Sequence, residues 1–247
     1  MKNKALLLMV GSITVGLSGQ TKGDMLGSAF NFAVIGGSGV TNTGTTIING
    51  NLGVSPGSAI TGFPPGIVNG TIHMNDAIAQ QARIDVTTAY NTLEGMTQTQ
   101  NLTGIDLGGL TLTPGVYFFS SSAFLTGTLT LDAQGNPDAL FVFQTGSTLI
   151  TASNSSVVMI NGADPCDLYW QVGSSATLGT DTSFQGNILA LTSITLNTRA
   201  TLLEGRALAR NGAVTLDTNT ITRCIPTPGA CFIFAVALVG SAIRRRR

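Results

Sequence analysis

Charged residues are scarce in this sequence. Only 10% of its 247 residues are aspartate, glutamate, lysine or arginine, and the 12 basic residues balance the 12 acidic ones. A typical globular domain has roughly 25% charged residues. A nucleic-acid-binding protein needs a clustered basic face, and a disordered chain combines low hydrophobicity with high net charge. The composition therefore argues against both classes, and we expect no nucleic-acid partner.

The residues that usually cover the surface of a helix are nearly missing as well. Glutamate and lysine, which favour helices, occur only two and three times. Glycine occurs 31 times and threonine 34 times, and both are poor helix formers. The composition predicts a β-rich, uncharged and extracellular protein rather than a helical bundle.

Histidine and cysteine, the usual groups of nucleophilic catalysis and metal binding, are also few. His73 is the only histidine, and we interpret it as a loop or helix-entry residue. Cys231 falls in the C-terminal tail, so Cys166 and Cys224 could form one disulfide in an exported protein. Two cysteines without a neighbouring histidine make a poor metal site. We therefore predict neither a metal nor another cofactor.

The N-terminus has the three-part layout of a secretory signal peptide. Two lysines precede an apolar run over residues 5–17, and small residues follow it. This order of charge, apolar run and small residues is typical of export signals; the alternative is a short buried strand or helix. We predict a signal peptide over residues 1–27 and an exported protein that is extracellular or anchored at the cell surface.

The C-terminus has a different layout. After Pro226 and Pro228 an uncharged stretch covers residues 229–243, and four arginines end the chain. The stretch is a little shorter than the roughly 20 residues of a membrane span, and a terminal basic cluster fits the cytoplasmic face. The layout resembles bacterial sorting tails with a Pro-Glu-Pro motif, although Thr227 replaces the glutamate; a plain membrane anchor is the alternative. We predict that residues 224–247 form a sorting or membrane-anchor tail.

One amphipathic helix interrupts the β-rich body. Asn75 or Asp76 can cap its start, and Gly95 can end it. Between them, apolar residues recur at intervals of three and four, namely Ile78, Ala82, Val86, Ala89, Tyr90 and Leu93. We predict a helix at about residues 75–95 that lies along one side of the body and buries this stripe.

Four similar segments recur in the C-terminal half. They are residues 147–151 (STLIT), 176–180 (ATLGT), 194–198 (ITLNT) and 214–218 (VTLDT). Their first threonines, Thr148, Thr177, Thr195 and Thr215, are 29, 18 and 20 residues apart. A period near 18 to 20 residues, with one longer coil, is typical of a β-solenoid whose coil has three short strands and three turns.

Alternation along each strand places these four threonines on one outer face. If the leucines that follow them (Leu149, Leu178, Leu196 and Leu216) point inward, the threonines point outward. Coils stack about 4.8 Å apart, so the column would be one edge of a flat array of hydroxyl and methyl groups. Threonine is also a good strand residue on a solvated face. Such a face ordinarily includes lysine and glutamate, and their absence favours a surface that matches something regular.

Seven ordered segments of the body carry a resemblance to a known family. They are residues 32–38 (FAVIGGS), 49–57 (NGNLGVSPG), 110–117 (LTLTPGVY), 141–144 (FVFQ), 170–179 (WQVGSSATLG), 186–190 (GNILA) and 205–216 (GRALARNGAVTL). The body resembles the bacterial and fungal ice-binding (antifreeze) proteins. The resemblance implies a right-handed β-solenoid of triangular cross-section over residues 28–223, with non-adjacent coil order and one helix alongside. It also implies adsorption to ice, with thermal hysteresis or inhibition of ice recrystallisation.

Some members of this family carry, on the side that faces ice, a motif of threonine, alanine or glycine, any residue, and threonine or asparagine. Residues 43–46 and 151–154 match it, residues 180–183 and 198–201 match it in part, and residues 218–221 depart from it twice. Together with the outward column, the resemblance implies these ice-binding residues: Thr43, Thr46, Thr148, Thr151, Asn154, Thr177, Thr180, Thr195, Thr198, Thr201, Thr215 and Thr218.

An enzyme and a cell-surface adhesin are the alternative functions. A polysaccharide lyase or hydrolase needs paired carboxylates in a groove, whereas the acidic residues here are scattered, and Glu204 near Arg206 and Arg210 fits ion pairing. A polysaccharide-binding module usually exposes aromatic platforms, whereas this chain has one tryptophan, Trp170 on a strand predicted to be buried, and three tyrosines. We therefore predict a monomeric, non-enzymatic protein that binds the ice surface and attaches to a membrane or cell surface through its tail.

Overall fold

The structure, a computed structural model, describes residues 24–225. They form one α-helix, α1 (Ala77–Glu94), 22 strands and two short 3-10 helices, Asp24–Asn31 and Pro165–Asp167. The predicted signal peptide and tail lie almost entirely outside the described residues. Among residues 24–225, no helix has the length and apolar character that a membrane span requires.

The strands wind into a right-handed solenoid of triangular cross-section, as the family resemblance implies. The helix face consists of β8 (Gln100–Asn101), β10 (Gly115–Phe119), β13 (Phe141–Thr145), β16 (Leu168–Val172), the second halves of β18 (Ser183–Ala190) and β20 (Thr201–Ala209), β1 (Phe32–Gly36), β4 (Asn51–Val54) and β7 (Ile72–Met74). The threonine face consists of β11 (Ala123–Leu125), β14 (Leu149–Thr151), β17 (Ala176–Leu178), β19 (Ile194–Leu196), β21 (Ala213–Asp217), β2 (Gly39–Thr43) and β5 (Ala59–Thr61). The mixed face consists of β9 (Thr111–Leu112), β12 (Thr128–Asp132), β15 (Ser156–Ile160), the first halves of β18 and β20, β22 (Thr220–Thr222), β3 (Ile47–Asn49) and β6 (Ile67–Asn69).

The coils are not stacked in sequence order. The N-terminal strands β1, β2 and β3 pair in parallel with β20, β21 and β22, the last strands of the chain. Helix α1 connects β7 at one end of the solenoid to β8 at the other. Its 18 residues span about 27 Å at 1.5 Å per residue, so the helix carries the chain along most of the solenoid. The non-adjacent coil order implied by the family resemblance is therefore confirmed.

Aliphatic side chains and one aromatic stack fill the solenoid interior. The rings of Tyr117, Phe143, Trp170 and Phe184 succeed one another from coil to coil, with centroids 5.2, 4.1 and 4.9 Å apart. Trp170 is fully buried, as predicted. Burial of one large apolar side chain contributes about 1.5–3 kcal/mol, so stacked interior positions hold neighbouring coils in a rigid arrangement.

Helix α1 covers the outside of the helix face. Asp76 caps its first turn by accepting a hydrogen bond from the backbone N–H of Ala79 at 2.8 Å, and Gly95 follows its last residue, both as predicted. Most of the predicted stripe is buried, but Ile78 is 53% exposed and Ala79 is buried in its place. Successive helical residues differ by about 100° in direction, so with Ala79 against the sheet Ile78 turns toward solvent.

Two acidic residues of this region hold the helix to neighbouring segments. His73 lies in the middle of strand β7, so its prediction as a loop or helix-entry residue is wrong, and its Nδ1 lies 2.7 Å from the carboxylate of the helix cap Asp76. Asp85 accepts hydrogen bonds from the backbone N–H and the hydroxyl of Ser28 at 2.7 and 2.5 Å. Leu26 is buried in the same layer. Leu26, placed in the signal peptide by the sequence prediction, thus packs against the body, and the cleavage boundary stays a prediction.

The two ends of the described chain meet at the corner between the mixed face and the helix face. Cys224 lies two residues after the end of β22 and forms a disulfide with Cys166, the pairing that the sequence left open. Cys224 is bonded and buried, and the predicted start of the tail at this residue stays a prediction. Phe30, near the end of the first 3-10 helix, lies at the same corner.

Arg206 ties these two ends together. Its buried guanidinium donates hydrogen bonds of 2.8–3.1 Å to the carbonyl oxygens of Phe30 and Cys224 and to Oδ1 of Asn187. Burial lowers the pKa of Arg206 to about 10. Within residues 24–225 neither Arg206 nor Arg210 forms an ion pair with Glu204, so the predicted pairing is wrong: the backbone carbonyls satisfy the Arg206 guanidinium instead.

Candidate functional site

A column of outward side chains runs down the middle of the threonine face. From coil to coil its members pair in the order Phe124, Ile150, Thr177, Thr195, Thr215, Thr41 and Thr61. The last five are threonines on consecutive coils. At about 4.8 Å between coils, these five threonines span about 19 Å, with backbone ladders fixing their spacing.

The pairing corrects the predicted column in one coil. Leu149 pairs with Ala176 and Ile150 with Thr177, so Ile150 and not Thr148 lies in line with the threonines. The sequence alignment of residues 147–151 with residues 176–180 is therefore displaced by two residues. A displacement by two keeps each side chain on its side of the strand. The predicted directions of Leu149 (inward) and Thr148 (outward) are right, although the predicted place of Thr148 in the central column is wrong.

Sequence analysis missed two members of the column, Thr41 and Thr61. Both follow a β-branched apolar residue, as in Val40-Thr41 and Ile60-Thr61, and this pair also occurs at Val214-Thr215. That dipeptide was the available signal. It was missed because these threonines lie in the N-terminal coils, which stack on the last coil of the chain.

A second column, of small residues, runs beside the threonines on the side nearer the helix face. In strand register its members are Ser122, Thr148, Ser175, Ser193, Ala213, Gly39 and Ala59. The hydroxyls of Ser122 and Thr148 lie 2.8 Å apart. No member is charged or larger than threonine, so this side of the face is flat.

The other side of the threonine face ends in a column of tight turns. Asn154, Asp181, Arg199 and Thr218 adopt left-handed backbone conformations with φ of 60°, 57°, 60° and 55°. Each donates its backbone N–H to a carbonyl of the next coil, at 2.9–3.1 Å. Non-glycine residues seldom adopt this conformation, and the coil-to-coil hydrogen bonds offset its cost. The turn column therefore defines a firm edge of the face.

Charged side chains lie at this edge. Arg199 donates two hydrogen bonds of 2.7 Å to the carboxylate of Asp181, and these lower the pKa of Asp181. Hydrogen bonds from Thr198 and then Thr218 lower the pKa of Asp217. All these groups are open to solvent, where a salt bridge contributes little to stability. The charges border the uncharged columns without interrupting them.

Two predicted site residues lie inside the protein. Thr46 is 0% and Thr151 4% exposed. The hydroxyl of Thr151 lies 2.9 Å from that of Thr182, and the hydroxyl of Thr46 accepts a hydrogen bond from the backbone N–H of Asn219 at 3.0 Å. These hydroxyls satisfy buried groups at the turns. Their burial keeps them from contacting an external surface.

The remaining predicted site residues lie at the edge of the threonine face or away from it. Thr43 is outward on β2, paired with Asp217. Thr201 lies on the mixed face, where it pairs with Ser183 and Thr220. Asn154 and Thr218 belong to the turn column, and Thr180 and Thr198 directly precede its members Asp181 and Arg199. Of the predicted set, the structure brings Thr177, Thr195 and Thr215 into one central column with Thr148 and Thr43 beside it.

The threonine face can order water. Each threonine presents a hydroxyl that donates and accepts hydrogen bonds and a methyl group that water cannot hydrogen-bond; the hydroxyls of Thr41 and Thr215 lie 3.5 Å apart.

Elsewhere among residues 24–225, one three-residue cluster of potential metal ligands occurs, Asp164 with Cys166 and Cys224. Its two cysteines are joined in the disulfide.

Comparison with known proteins identifies the family. Residues 34–222 match the family model described as ice-binding-like. This chain belongs to that family of ice-binding proteins. An ice-binding protein of Nostoc sp. (strain HG1) is 64% identical over 203 residues, which are 82% of this chain and 75% of that protein. The family is described by ice binding and not by a catalysed reaction.

Solved structures of the ice-binding family share the fold. An ice binding protein from an Antarctic biological consortium has 56% sequence identity and a TM-score of 0.78 over 80% of this chain and 89% of that one. An ice-binding protein from the Antarctic ascomycete Antarctomyces psychrotrophicus has 43% identity and a TM-score of 0.77 over 80% of this chain and 96% of that one. These similarities confirm both the predicted family and the predicted solenoid.

Proposed function

We propose that this protein binds ice through the threonine face and acts as an antifreeze protein. The observation that carries the proposal is the column of Thr177, Thr195, Thr215, Thr41 and Thr61, in register on five consecutive coils. Membership of the ice-binding family supports it.

Regular threonines suit a surface of ordered water. Hydroxyl groups hold water molecules by hydrogen bonds, and the methyl groups between them limit the positions that other water molecules can take. A layer held in this way merges with an ice plane. Each contact is weak, so binding depends on the number of matched positions.

The rigidity of the threonine column allows many weak contacts to add up to stable binding of ice. The column is fixed by parallel backbone ladders on both sides and by buried leucines directly beneath, such as Leu196 and Leu216. A surface that is already ordered avoids the entropy cost of ordering on binding. The Ile150 and Phe124 positions, which lack hydroxyls, mark the end of the matched column.

Replacing the central threonine by a bulky residue tests the proposal. In a Thr215→Tyr variant the ring would project between Thr195 and Thr41 and hold the face away from ice. We expect thermal hysteresis to fall by at least about half, because a rigid face cannot adapt to a protruding side chain. Thermal hysteresis and capture of the protein into growing ice are the measurements.

The matched control is Thr220→Tyr on the mixed face. Thr220 is a half-buried outward threonine of β22 that pairs with Thr201 and Ile47. This variant should keep the hysteresis of the parent, and circular dichroism should show both variants folded. Equal hysteresis in the parent and in both variants would assign ice binding to another face.

We also propose that the protein is exported, monomeric and without enzymatic activity, and that its tail attaches it to a membrane or cell surface. The layout of the two ends supports export and anchoring, and the disulfide Cys166–Cys224 suits an oxidising compartment. Fractionation of cells that produce the full chain, or a chain ending at residue 225, tests attachment. The full chain should stay with the envelope and the shortened chain should appear in the medium; release of both would refute anchoring.

A further inference from the structure

A polar groove lies at the corner where the mixed face meets the helix face. Its volume is about 360 Å³, and small-molecule sites typically have roughly 300–1,000 Å³. Its polar lining comes from Asn31, Asn49, Asn51, Asn69, Thr222 and Arg223. Nothing in the ice-binding proposal uses this groove.

Hydrogen bonds orient the amides of the groove. Asn69 donates from Nδ2 to Oδ1 of Asn49 at 2.8 Å, and Asn49 donates from Nδ2 to the hydroxyl of Thr222 at 3.0 Å. The Oδ1 of Asn51 accepts from the backbone N–H of Thr71 at 3.0 Å. An amide has two donor hydrogens and an acceptor oxygen with two lone pairs, so donors and acceptors are left over in fixed directions. Such a row is suited to the hydroxyl groups of a saccharide.

Arg223 adds a positive charge that no other side chain of the described chain neutralises. Its guanidinium lies 5.8 Å from the centroid of the Phe30 ring, and within residues 24–225 its side chain forms no hydrogen bond and no ion pair. The neighbouring Arg206 stacks on the same ring at 4.4 Å, but its donors are used by backbone carbonyls and Asn187. The guanidinium group of Arg223 therefore has N–H donors available to bind an anion.

No aspartate or glutamate outside the described residues can supply that anion, because residues 1–23 and 226–247 contain neither. The chain between residues 25 and 223 has five arginines and eleven acidic residues, yet in the described part only Arg199 pairs with a carboxylate. The side chains of Arg83, Arg206 and Arg210 instead donate hydrogen bonds to carbonyl or amide oxygens. Among the five arginines, Arg223 alone has a side chain with no hydrogen bond within residues 24–225.

We propose that the groove binds a hydroxyl-rich carboxylate, namely a uronic acid residue of an acidic polysaccharide. The carboxylate would accept two parallel hydrogen bonds from Arg223, the geometry in which arginine binds carboxylates best. The ring hydroxyls would pair with the amides of Asn49, Asn51 and Asn69. A neutral sugar would leave the guanidinium unpaired, and a simple carboxylate would leave the amides unused.

The groove lies away from the threonine face. In a coil of three faces, the corner between the mixed and helix faces is opposite the threonine face. Ice and a polysaccharide can therefore be bound at the same time, and the protein would connect the two. This site is independent of the proposed ice binding, so either proposal can fail while the other holds.

Titration of the isotope-labelled intact protein by NMR tests the site. With sodium glucuronate, we expect saturable shifts of the side-chain amide signals of Asn49, Asn51 and Asn69. One sugar ring supplies few contacts, so the dissociation constant should be about 1 mM. Glucose and acetate should each bind about tenfold more weakly, because each lacks one half of the recognised chemistry.

Two variants and one control make the titration specific. Arg223→Gln should weaken glucuronate binding about tenfold, the expected loss of a charged hydrogen-bonded pair. Asn69→Asp, at an exposed position, should abolish it by placing a second carboxylate in the groove that Arg223 lines. Arg83→Gln removes the same charge from helix α1, where Arg83 bonds to the carbonyl of Arg210, and should bind like the parent. Unchanged melting temperature and ice capture would show that all three variants are folded.

The outcomes separate the possible ligands. An oligouronate that binds more tightly than glucuronate would support a polysaccharide, whereas its exclusion from a groove that binds the monomer would overturn that assignment. Acetate or glucose binding as tightly as glucuronate would overturn the uronate proposal, as would equal binding by the parent and Arg223→Gln. Absence of any saturable shift would overturn the site itself. Glucuronate that displaced the protein from ice would contradict the separation of groove and threonine face.

Discussion

The threonine face and the mixed face share one construction and differ in what they present to solvent. Both are parallel ladders over a buried apolar layer, with Leu196 beneath one and Leu202 beneath the other. On the threonine face the central column has five threonines in succession. On the mixed face the corresponding column reads Ser156, Ser183, Thr201, Thr220, Ile47 and Ile67.

This difference shows that the solenoid does not require a uniform outer column. Inward positions on both faces are apolar because the core must exclude water. Outward positions on the mixed face vary in size and polarity, and the coils stack equally well there. A regular threonine column on one face only is therefore best explained by what that face contacts.

Among the predicted effects, the largest is the loss of stability when a cavity is made beneath the threonine face or the mixed face, and its consequence for ice capture should differ between the two. Leu196→Ala and Leu202→Ala each truncate a fully buried leucine, and each should lower the free energy of unfolding by about 2–5 kcal/mol. Only Leu196→Ala should also reduce ice capture, because its cavity lets Thr195 and its neighbours shift. Denaturant unfolding and ice capture, both at low temperature where the variants are folded, are the measurements. Equal loss of ice capture in both would show that the mixed face takes part.

Extending the threonine column should have a smaller effect, in the opposite direction. Ile150 pairs with Thr177 at the end of the column, so Ile150→Thr would make six consecutive threonines. We expect thermal hysteresis to rise by roughly one fifth, in proportion to the number of matched positions on a rigid surface. Ile47→Thr on the mixed face is the matched control, since Ile47 and Ile150 are both 38% exposed. An equal rise in the two variants would remove the distinction between the faces.

Acid should have the smallest effect, and it should act on stability and not on ice capture. The pKa values of Asp181 and Asp217 are lowered by hydrogen bonds in the folded state. A lowered pKa adds stability above the ordinary value of 3.8, and this is lost as the pH falls below it. Ice capture should stay constant from about pH 8 to about pH 5, where these carboxylates remain charged, and the melting temperature should fall as the pH drops below 3.8. A fall of ice capture within that range would place a titrating group on the face.

The local features of the fold could be predicted because short-range physics sets them. The Asp76 cap, the stop at Gly95 and most of the buried stripe follow from hydrogen bonding and the helical period. The inward leucines follow from alternation along a strand. Ile78 is the exception, since the stripe itself is compatible with two helix rotations and only contact with the sheet selects one.

The candidate site was predicted only in part, because some of its strand pairings join residues far apart in the sequence. The threonines Thr177, Thr195 and Thr215 come from adjacent coils of similar sequence, and their column was correctly predicted. Thr41 joins Thr215 across 174 residues, and local pattern carries no information on that pairing. The alignment at Thr148 was displaced because sequence similarity between two segments does not show which of their backbone groups form hydrogen bonds.

The scarcity of charge and the abundance of threonine and glycine determined a β-rich protein, and the repeat of 18 to 20 residues with alternation along each strand determined a solenoid with inner and outer side chains. These are properties of composition and of period, which each short segment carries by itself. Tertiary structure alone decided three features of residues 24–225: the N-terminal coils complete the threonine column, Arg206 joins Phe30 to Cys224, and Arg223 lines a polar groove without a hydrogen-bond partner for its side chain. Each of these depends on groups far apart in the sequence, and only the packing of coils brings them within bonding distance.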